Sequence, residues 1–229
     1  MNRESLNVEK PLFIFDMGGV VVKSFHCVHA MAASLSLTTQ DFFAISASRP
    51  ALSSNENPYN VGLIRLLQEG RITEQTFWEH FQKNAANTLP HINLNIPHEY
   101  LAGTASLWGA YFYPERDPAV WAILEQLKNR GYSLVCGTNT LEAHYRYHLQ
   151  QGDYGLFDRV YASHKMGLIK PDQSFWEYIL QAEGVYAEQA YFVDDLEENV
   201  RAAEHLGLMV HHFRDASSLK EALTTQGYV

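Results

Sequence analysis

The first pronounced pattern along the chain is an apolar run at residues 11–15, Pro-Leu-Phe-Ile-Phe, that stops at Asp16 and resumes as Val-Val-Val at 20–22, after Met17 and two glycines. A short, unbroken apolar run bounded by Gly reads as a buried strand, and Gly18-Gly19 lets the backbone turn away from it and approach a ligand closely. From Ser24 to about Leu107 the apolar positions fall at helical spacing instead. Helices are expected over 27–37, over 39–47 with Thr38 or Thr39 as cap, over 58–68 with Gly70 beyond, and from Thr73 onward. In the last of these Phe77, Trp78 and Phe81 share a face, and nothing in this stretch has the alternation of a strand. From Asp117 the pattern changes again. A helix over 120–127, with Pro118 in its first turn and Gly131 after it, is followed by strands over 132–136, 159–162, 190–193 and 209–213. These alternate with helices over 141–150, 171–183, 197–206 and 217–224. Such alternation is the mark of β-α-β units and a parallel sheet. The expected architecture is α/β, a doubly wound, Rossmann-like parallel-sheet core formed by 11–23 and 110–229. An α-helical cap over 24–109 is inserted into it, and 1–10 form an N-terminal tail.

Composition narrows the partners. At 229 residues, with 46% hydrophobic and 19% charged residues, the chain suits one large domain or a core with an insertion. A formal charge of -9 argues against nucleic acid, whose binders cluster Lys and Arg to displace counterions. The two cysteines, Cys27 and Cys136, cannot build a disulfide framework and fit a reducing, cytoplasmic setting. The first apolar run breaks at Asp16, too soon for a signal-peptide core or a membrane span.

Four polar groups fall at the carboxyl end of an expected strand or in the loop just beyond it: Asp16, Thr138 with Asn139, Lys170, and Asp194 with Asp195. Each has a plainer reading alone. Asp16 could be a turn residue, Thr138-Asn139 a helix start, Lys170 a surface lysine, and the acidic pair an answer to a helix dipole. Right-handed crossovers, however, bring all these strand ends to one edge of the sheet. A carboxylate to attack, a hydroxyl and an amide to grip an oxyanion, an ammonium to neutralise it and an acidic pair to hold Mg²⁺ form a phosphoryl-transfer set.

In this order the residues resemble the haloacid dehalogenase superfamily of hydrolases. The matching motifs are Phe-Asp-Met-Gly-Gly-Val at 15–20, Gly-Thr-Asn at 137–139, Ile-Lys-Pro at 169–171 and Val-Asp-Asp at 193–195, and Glu-Gly-Arg-Ile-Thr-Glu at 69–74 is similar to caps of sugar-phosphatase-like members. The resemblance implies that Asp16 is a nucleophile forming an aspartyl-phosphate. It implies that Asp16, Asp194, Asp195 and the Gly18 carbonyl hold Mg²⁺, and that Thr138, the Asn139 backbone and Lys170 hold the phosphoryl group. The implied substrate is a small phosphorylated metabolite, such as a sugar phosphate.

The chain departs from that pattern at Gly18, where the family's phosphatases carry a second Asp that protonates the leaving group. Acid/base catalysis is worth about 10²–10⁴-fold, so either the leaving group is already good or another group substitutes, with His26 and His29 as candidates by their ordinary pKa. A metal-independent dehalogenase is the alternative enzyme, though the acidic pair has no use in it. A catalytically impaired member that binds a phosphorylated ligand or a protein partner is the alternative outside enzymes. His144 and His148 read as surface or packing residues, adjacent His211 and His212 point to opposite faces, and Trp78, Trp108, Trp121 and Trp176 read as packing. Cys136 reads as a buried small apolar residue.

Overall fold

The computed structural model describes residues 10–229, so the tail expected at 1–10 lies, except for Lys10, outside the described residues. The elements follow in the order β1 (Leu12–Phe15), β2 (Val22–Lys23), α1 (Val28–Ser34), α2 (Thr39–Ala47), a 3₁₀ turn (Pro58–Asn60), α3 (Gly62–Gln68), α4 (Glu74–Thr88), α5 (His98–Leu101), α6 (Leu107–Ala110) and β3 (Glu115–Arg116). They continue with α7 (Pro118–Asn129), β4 (Leu134–Thr138), α8 (Glu142–Gln151), β5 (Arg159–Ala162), α9 (Ser163–Met166), α10 (Ser174–Glu183), a 3₁₀ turn (Ala187–Gln189), β6 (Ala190–Asp194), α11 (Glu197–Leu206), β7 (Met209–His212) and α12 (Ala216–Thr225).

Five strands form one parallel sheet in the order β5-β4-β1-β6-β7. This is the Rossmann-like, doubly wound arrangement that the alternating pattern predicts. Strand β1 is apolar at every position because both its faces are covered. Phe13 and Phe15 join Val120, Leu124, Leu219 and Leu223 of α7 and α12 on one side. Leu12 and Ile14 join Phe175, Ile179 and Ala203 of α10 and α11 on the other. The register sets Phe15 beside Cys136 of β4 and Val193 of β6. Asp16, Gly137 and Asp194 therefore follow side by side at the carboxyl edge, at the point where the strand order reverses and α/β folds bind ligands.

The helices between β2 and β3 carry a hydrophobic cluster of their own, centred on Phe42, Phe77, Trp78, Phe81 and Trp108. Helix α4 starts where expected because the Thr73 side chain accepts from the Thr76 N–H. Its buried Phe77, Trp78 and Phe81 each contribute roughly 1.5–3 kcal/mol of transfer free energy. Helix α2 is fixed by a capping box between Thr38 and Asp41. The single helix expected over 58–68 is broken: Val61 is extended, and Gly62 has φ +57° with its backbone against the Ser46 carbonyl, where a Cβ would lie 2.3 Å from the oxygen. The helix expected from 171 starts only at Ser174, which leaves Lys170 and Pro171 in the loop facing the sheet edge. An unexpected two-residue ribbon, β2 with β3, pairs Val22 with Arg116 and Lys23 with Glu115 at the two crossings into the helical insertion.

Candidate active site

Asp16 extends β1 by one residue, its N–H bonded to the Val193 carbonyl at 3.0 Å, and its side chain is almost wholly buried. The turn after it winds around the Met17 carbonyl, which accepts from Val21 and Val22 at 2.9 Å. Gly19 completes that turn at φ +80°, and a Cβ there would lie 2.2 Å from Asp195 Oδ2. Glycine at 19 is thus what lets the Asp195 carboxylate lie against the turn.

Lys170 is 1% exposed, and its ammonium reaches Asp194 Oδ2 at 2.7 Å, Asp16 Oδ1 at 2.9 Å and the Gly137 carbonyl at 3.0 Å. Asn139 sets this lysine: its amide donates to the Lys170 carbonyl at 2.9 Å and accepts from the Lys170 N–H at 2.8 Å. With the side chain so committed, only the backbone of Asn139 is left for a ligand, beside the buried hydroxyl of Thr138. Burial works to discharge Lys170, but Asp16 and Asp194 outweigh it and hold its pKa above the ordinary lysine value.

The acidic pair is not symmetric. Asp194 is fully buried and already receives the Leu196 N–H at 2.8 Å, the Asn199 amide at 3.1 Å and the Lys170 ammonium. Asp195 is half-buried, with its pKa raised first by burial and then by Asp194. Asp16 is raised too, by burial before all else, with Asp194 and Asp195 adding to it and Lys170 opposing. Carboxylate oxygens of Asp16, Asp194 and Asp195 all lie within 4.8 Å of one another. Three acids facing one ammonium leave an excess of negative charge in a buried place, and the Asn199 Oδ1 beside them is a buried acceptor without a partner. An all-oxygen set of this kind fits a hard divalent cation such as Mg²⁺.

Gly18 also lines the cavity over this cluster, and a Cβ built on it would meet the Phe25 ring at 3.1 Å. An aromatic face therefore lies where a side chain at position 18 would begin. Of the two histidines proposed as substitutes, His26 reaches the cavity, its ring packed on Phe25 at 4.1 Å. His29 is exposed and hydrogen-bonded to Thr39 instead. The cavity has a volume of about 420 Å³. Its floor is the sheet edge, and its roof is the insertion, tied down where Asn57 and Asn60 donate to Glu198 and Arg65 pairs with Asp172.

Several of its walls went unread in the sequence. Phe25, Tyr59, Ile64 and Phe112 line it, and each looks like ordinary core until the insertion is folded over the sheet. Trp108 packs in the insertion as expected yet also faces the cavity. His144 and His148 are packing residues rather than surface ones: His148 is buried against Asp153 at 2.8 Å, and His144 stacks on Phe112 with ring centroids 3.6 Å apart. Asn199, on the first turn of α11, carried the one available signal, a polar residue on the buried face just after the acidic pair.

A parallel α/β core with a buried carboxylate at a strand end, a buried ammonium and an oxygen-rich acidic cluster under a helical insertion is an arrangement of the Rossmann-like class suited to hydrolysis. The chain belongs to the haloacid dehalogenase-like hydrolases, whose family model matches residues 10–207. It is 28% identical to the sesquiterpene phosphatase astK of Aspergillus oryzae, over 70% of this chain and 84% of that one. Among solved structures it is similar to a haloacid dehalogenase family enzyme of Bacteroides thetaiotaomicron crystallised with magnesium and inorganic phosphate. That likeness has a TM-score of 0.61 at 17% identity, covering 92% of this chain and 98% of that one. A hydrolase-like protein of Porphyromonas gingivalis superposes with a TM-score of 0.64 at 20% identity, covering 95% and 97%. Among the described residues no helix is long and apolar enough to cross a membrane.

Proposed function

We propose that the protein is a Mg²⁺-dependent phosphohydrolase that cleaves a small phosphorylated metabolite through an aspartyl-phosphate on Asp16. The observation that carries this reading is the buried Asp16 carboxylate, 2.9 Å from the Lys170 ammonium and within 4.8 Å of Asp194 and Asp195 oxygens. The phosphatase relative and the magnesium and phosphate of the solved relative support it.

Asp16, Asp194, Asp195 and the Gly18 carbonyl would hold Mg²⁺, which when bound offsets the charge of the phosphoryl oxygens and of the nucleophile. The remaining steps belong to the chain. Lys170, Thr138 and the Asn139 N–H grip the phosphoryl oxygens as charge develops. An Asp16 oxygen bonds to phosphorus, the ester P–O bond breaks, and the departing oxygen keeps the electron pair. Water then attacks the phosphorus of the aspartyl-phosphate, releasing inorganic phosphate and restoring Asp16. Asp194 positions Lys170 rather than meeting substrate. Residues 24–109 serve as the cap that closes the site against bulk water, over the core of 11–23 and 110–229. Gly18 contributes no proton, so the leaving oxygen takes one from water or from His26 at the cavity mouth, unless it leaves well without one.

The test is phosphate release from a panel of phosphate esters with and without Mg²⁺, beside Asp16→Asn. Release that needs both the metal and Asp16 is expected. Its absence on every ester would sink the proposal.

A further inference from the structure

We infer that the organic group of the substrate is predominantly hydrocarbon and larger than a triose, not the sugar that the cap phrase suggests. This rests on the phosphohydrolase reading and adds the substrate class to it.

The cavity of about 420 Å³ falls in the range of roughly 300–1,000 Å³ typical of sites that enclose sizeable organic ligands. Its charged groups sit at the sheet edge. Away from that edge the walls are mostly carbon, from Val28, Tyr59, Ile64, Trp108, Phe112 and Leu141. A sugar would bring several hydroxyls into this space, and each must exchange water for a protein partner.

Most of the polar side-chain donors that could have served are already engaged. Gln68 donates to the Tyr59 carbonyl at 2.7 Å, and Asn57 and Asn60 donate to Glu198 at 2.6 and 3.2 Å. His148 is held by Asp153, and His144 donates from Nε2 to the Trp108 carbonyl at 3.2 Å. Burial keeps the His144 imidazole neutral, its pKa lowered to about 3. Trp108 Nε1 is a buried donor without a partner. With the Tyr59 hydroxyl, it can serve one or two polar atoms but not the ring of hydroxyls on a hexose.

Charge points the same way. Among the described residues Lys170 is the one lysine or arginine on the lining, and it serves Asp16, Asp194 and the phosphoryl group at the sheet edge rather than the organic group. A second phosphate or a carboxylate on the organic group would find only His26, at the exposed mouth. The Phe25 ring over Gly18 completes the picture, since it presents aromatic carbon close to the reacting end of the cavity.

Calorimetric titration with phosphonates tests this, because their C–P bond is not cleaved and binding is read without chemistry. In the presence of Mg²⁺, decylphosphonate is expected to bind at least about 100-fold more tightly than the phosphonate analogue of glucose 6-phosphate, the discrimination typical of an apolar site facing added hydroxyls. Its binding should also carry the negative heat-capacity change of apolar burial. Ile64→Asn should shrink the ratio by about tenfold, at the lower end of what one altered apolar contact is worth. A wild-type ratio near one, or one that favours the sugar, overturns the inference and needs no variant to fold. The same preference should appear in kcat/KM for farnesyl phosphate over glucose 6-phosphate. If the phosphonates show the preference but no ester is hydrolysed in an Asp16-dependent way, the catalytic reading fails while the ligand class stands.

Discussion

Gly18→Asp supplies the carboxylic acid that the turn after Asp16 lacks. No left-handed φ is found at Gly18, so a side chain is not barred by the backbone. The obstacle is local: the new Cβ would lie 3.1, 3.2 and 3.4 Å from three carbons of the Phe25 ring, which must give by a few tenths of an ångström. Phe25 is only half-buried, so the ring can shift, and Gly18→Asp combined with Phe25→Ala removes the obstacle. The new carboxyl would start beside Phe25 on the cavity that Asp16 and Asp195 also line, and nearby like charges raise a carboxyl pKa. That keeps it protonated and able to donate. A positioned acid is worth about 10²–10⁴-fold, or about 2.7–5.4 kcal/mol of barrier at 1.36 kcal/mol per decade. The gain should be confined to esters whose leaving group needs a proton. The assay is kcat/KM across substituted phenyl phosphates and an alkyl phosphate. The wild-type rate should fall steeply as the leaving-group pKa rises, and the double variant should flatten that dependence by lifting the alkyl ester most. A wild type that is already flat, or a double variant that keeps the wild-type slope, would refute the view that the missing proton limits this site.

Three further outcomes follow from the same geometry. Gly19→Ala forces a Cβ to within 2.2 Å of Asp195 Oδ2 at φ +80°. It should cost about 1–2 kcal/mol in backbone strain and raise the Mg²⁺ concentration needed for half-maximal phosphate release; an unchanged magnesium titration would count against Asp195 as a ligand. Glu74→Ala removes a carboxylate that accepts from the Leu107 N–H at 2.7 Å, the Trp108 N–H at 3.2 Å and the Ser106 hydroxyl at 2.6 Å. At about 1–3 kcal/mol for each buried group left unpaired, urea denaturation should show a loss of a few kcal/mol, and an unchanged midpoint would contradict that accounting. His144 titrates near 6.5 when unfolded and near 3 when folded, because burial excludes its charge. Between those values the unfolded chain binds the extra proton, so stability is complete above about pH 6.5. It falls by about 1.4 kcal/mol per pH unit below that, or about 2 kcal/mol by pH 5. Urea midpoints from pH 7 to 5 should show this slope reduced in His144→Gln, and equal slopes would refute the assignment.

What could be read from the chain alone was what local periodicity and strand-end position determine. The apolar run before Asp16 is buried on both faces, so its length and its end were visible without any partner strand. Thr138 and Asp194 were legible for the same reason, since each ends an apolar segment that forms a strand; Lys170 lies beyond α9, in the loop before α10, and was legible only through the Ile-Lys-Pro motif. The β2–β3 ribbon was not legible, because two residues per strand make no period. Nor was the break before Gly62, which depends on the Ser46 carbonyl approaching from another helix. Phe25 was hidden in a different way. It follows Ser24, a non-glycine residue at φ +57°, and its position over Gly18 depends on that turn rather than on any spacing.

The adjacent acids illustrate what position alone leaves open. In sequence Asp194-Asp195 is one acidic pair, but successive residues at a strand end point to different sides. Asp194 turns inward, where Lys170, Asn199 and the Leu196 N–H take up its oxygens. Asp195 turns toward the Met17–Gly19 turn, and only the absence of a Cβ at Gly19 lets it settle there. The two carboxylates thus differ: both keep oxygens near Asp16, but Asp194 also fixes the ammonium that faces it, while Asp195 lies against the turn. Loss of the glycine at 19 and loss of the carboxylate at 195 should accordingly injure the same function. The glycine pair after Asp16 then has two separate jobs. Gly19 makes room for a charge to come close, and Gly18, under Phe25, makes room for an aromatic ring beside the turn.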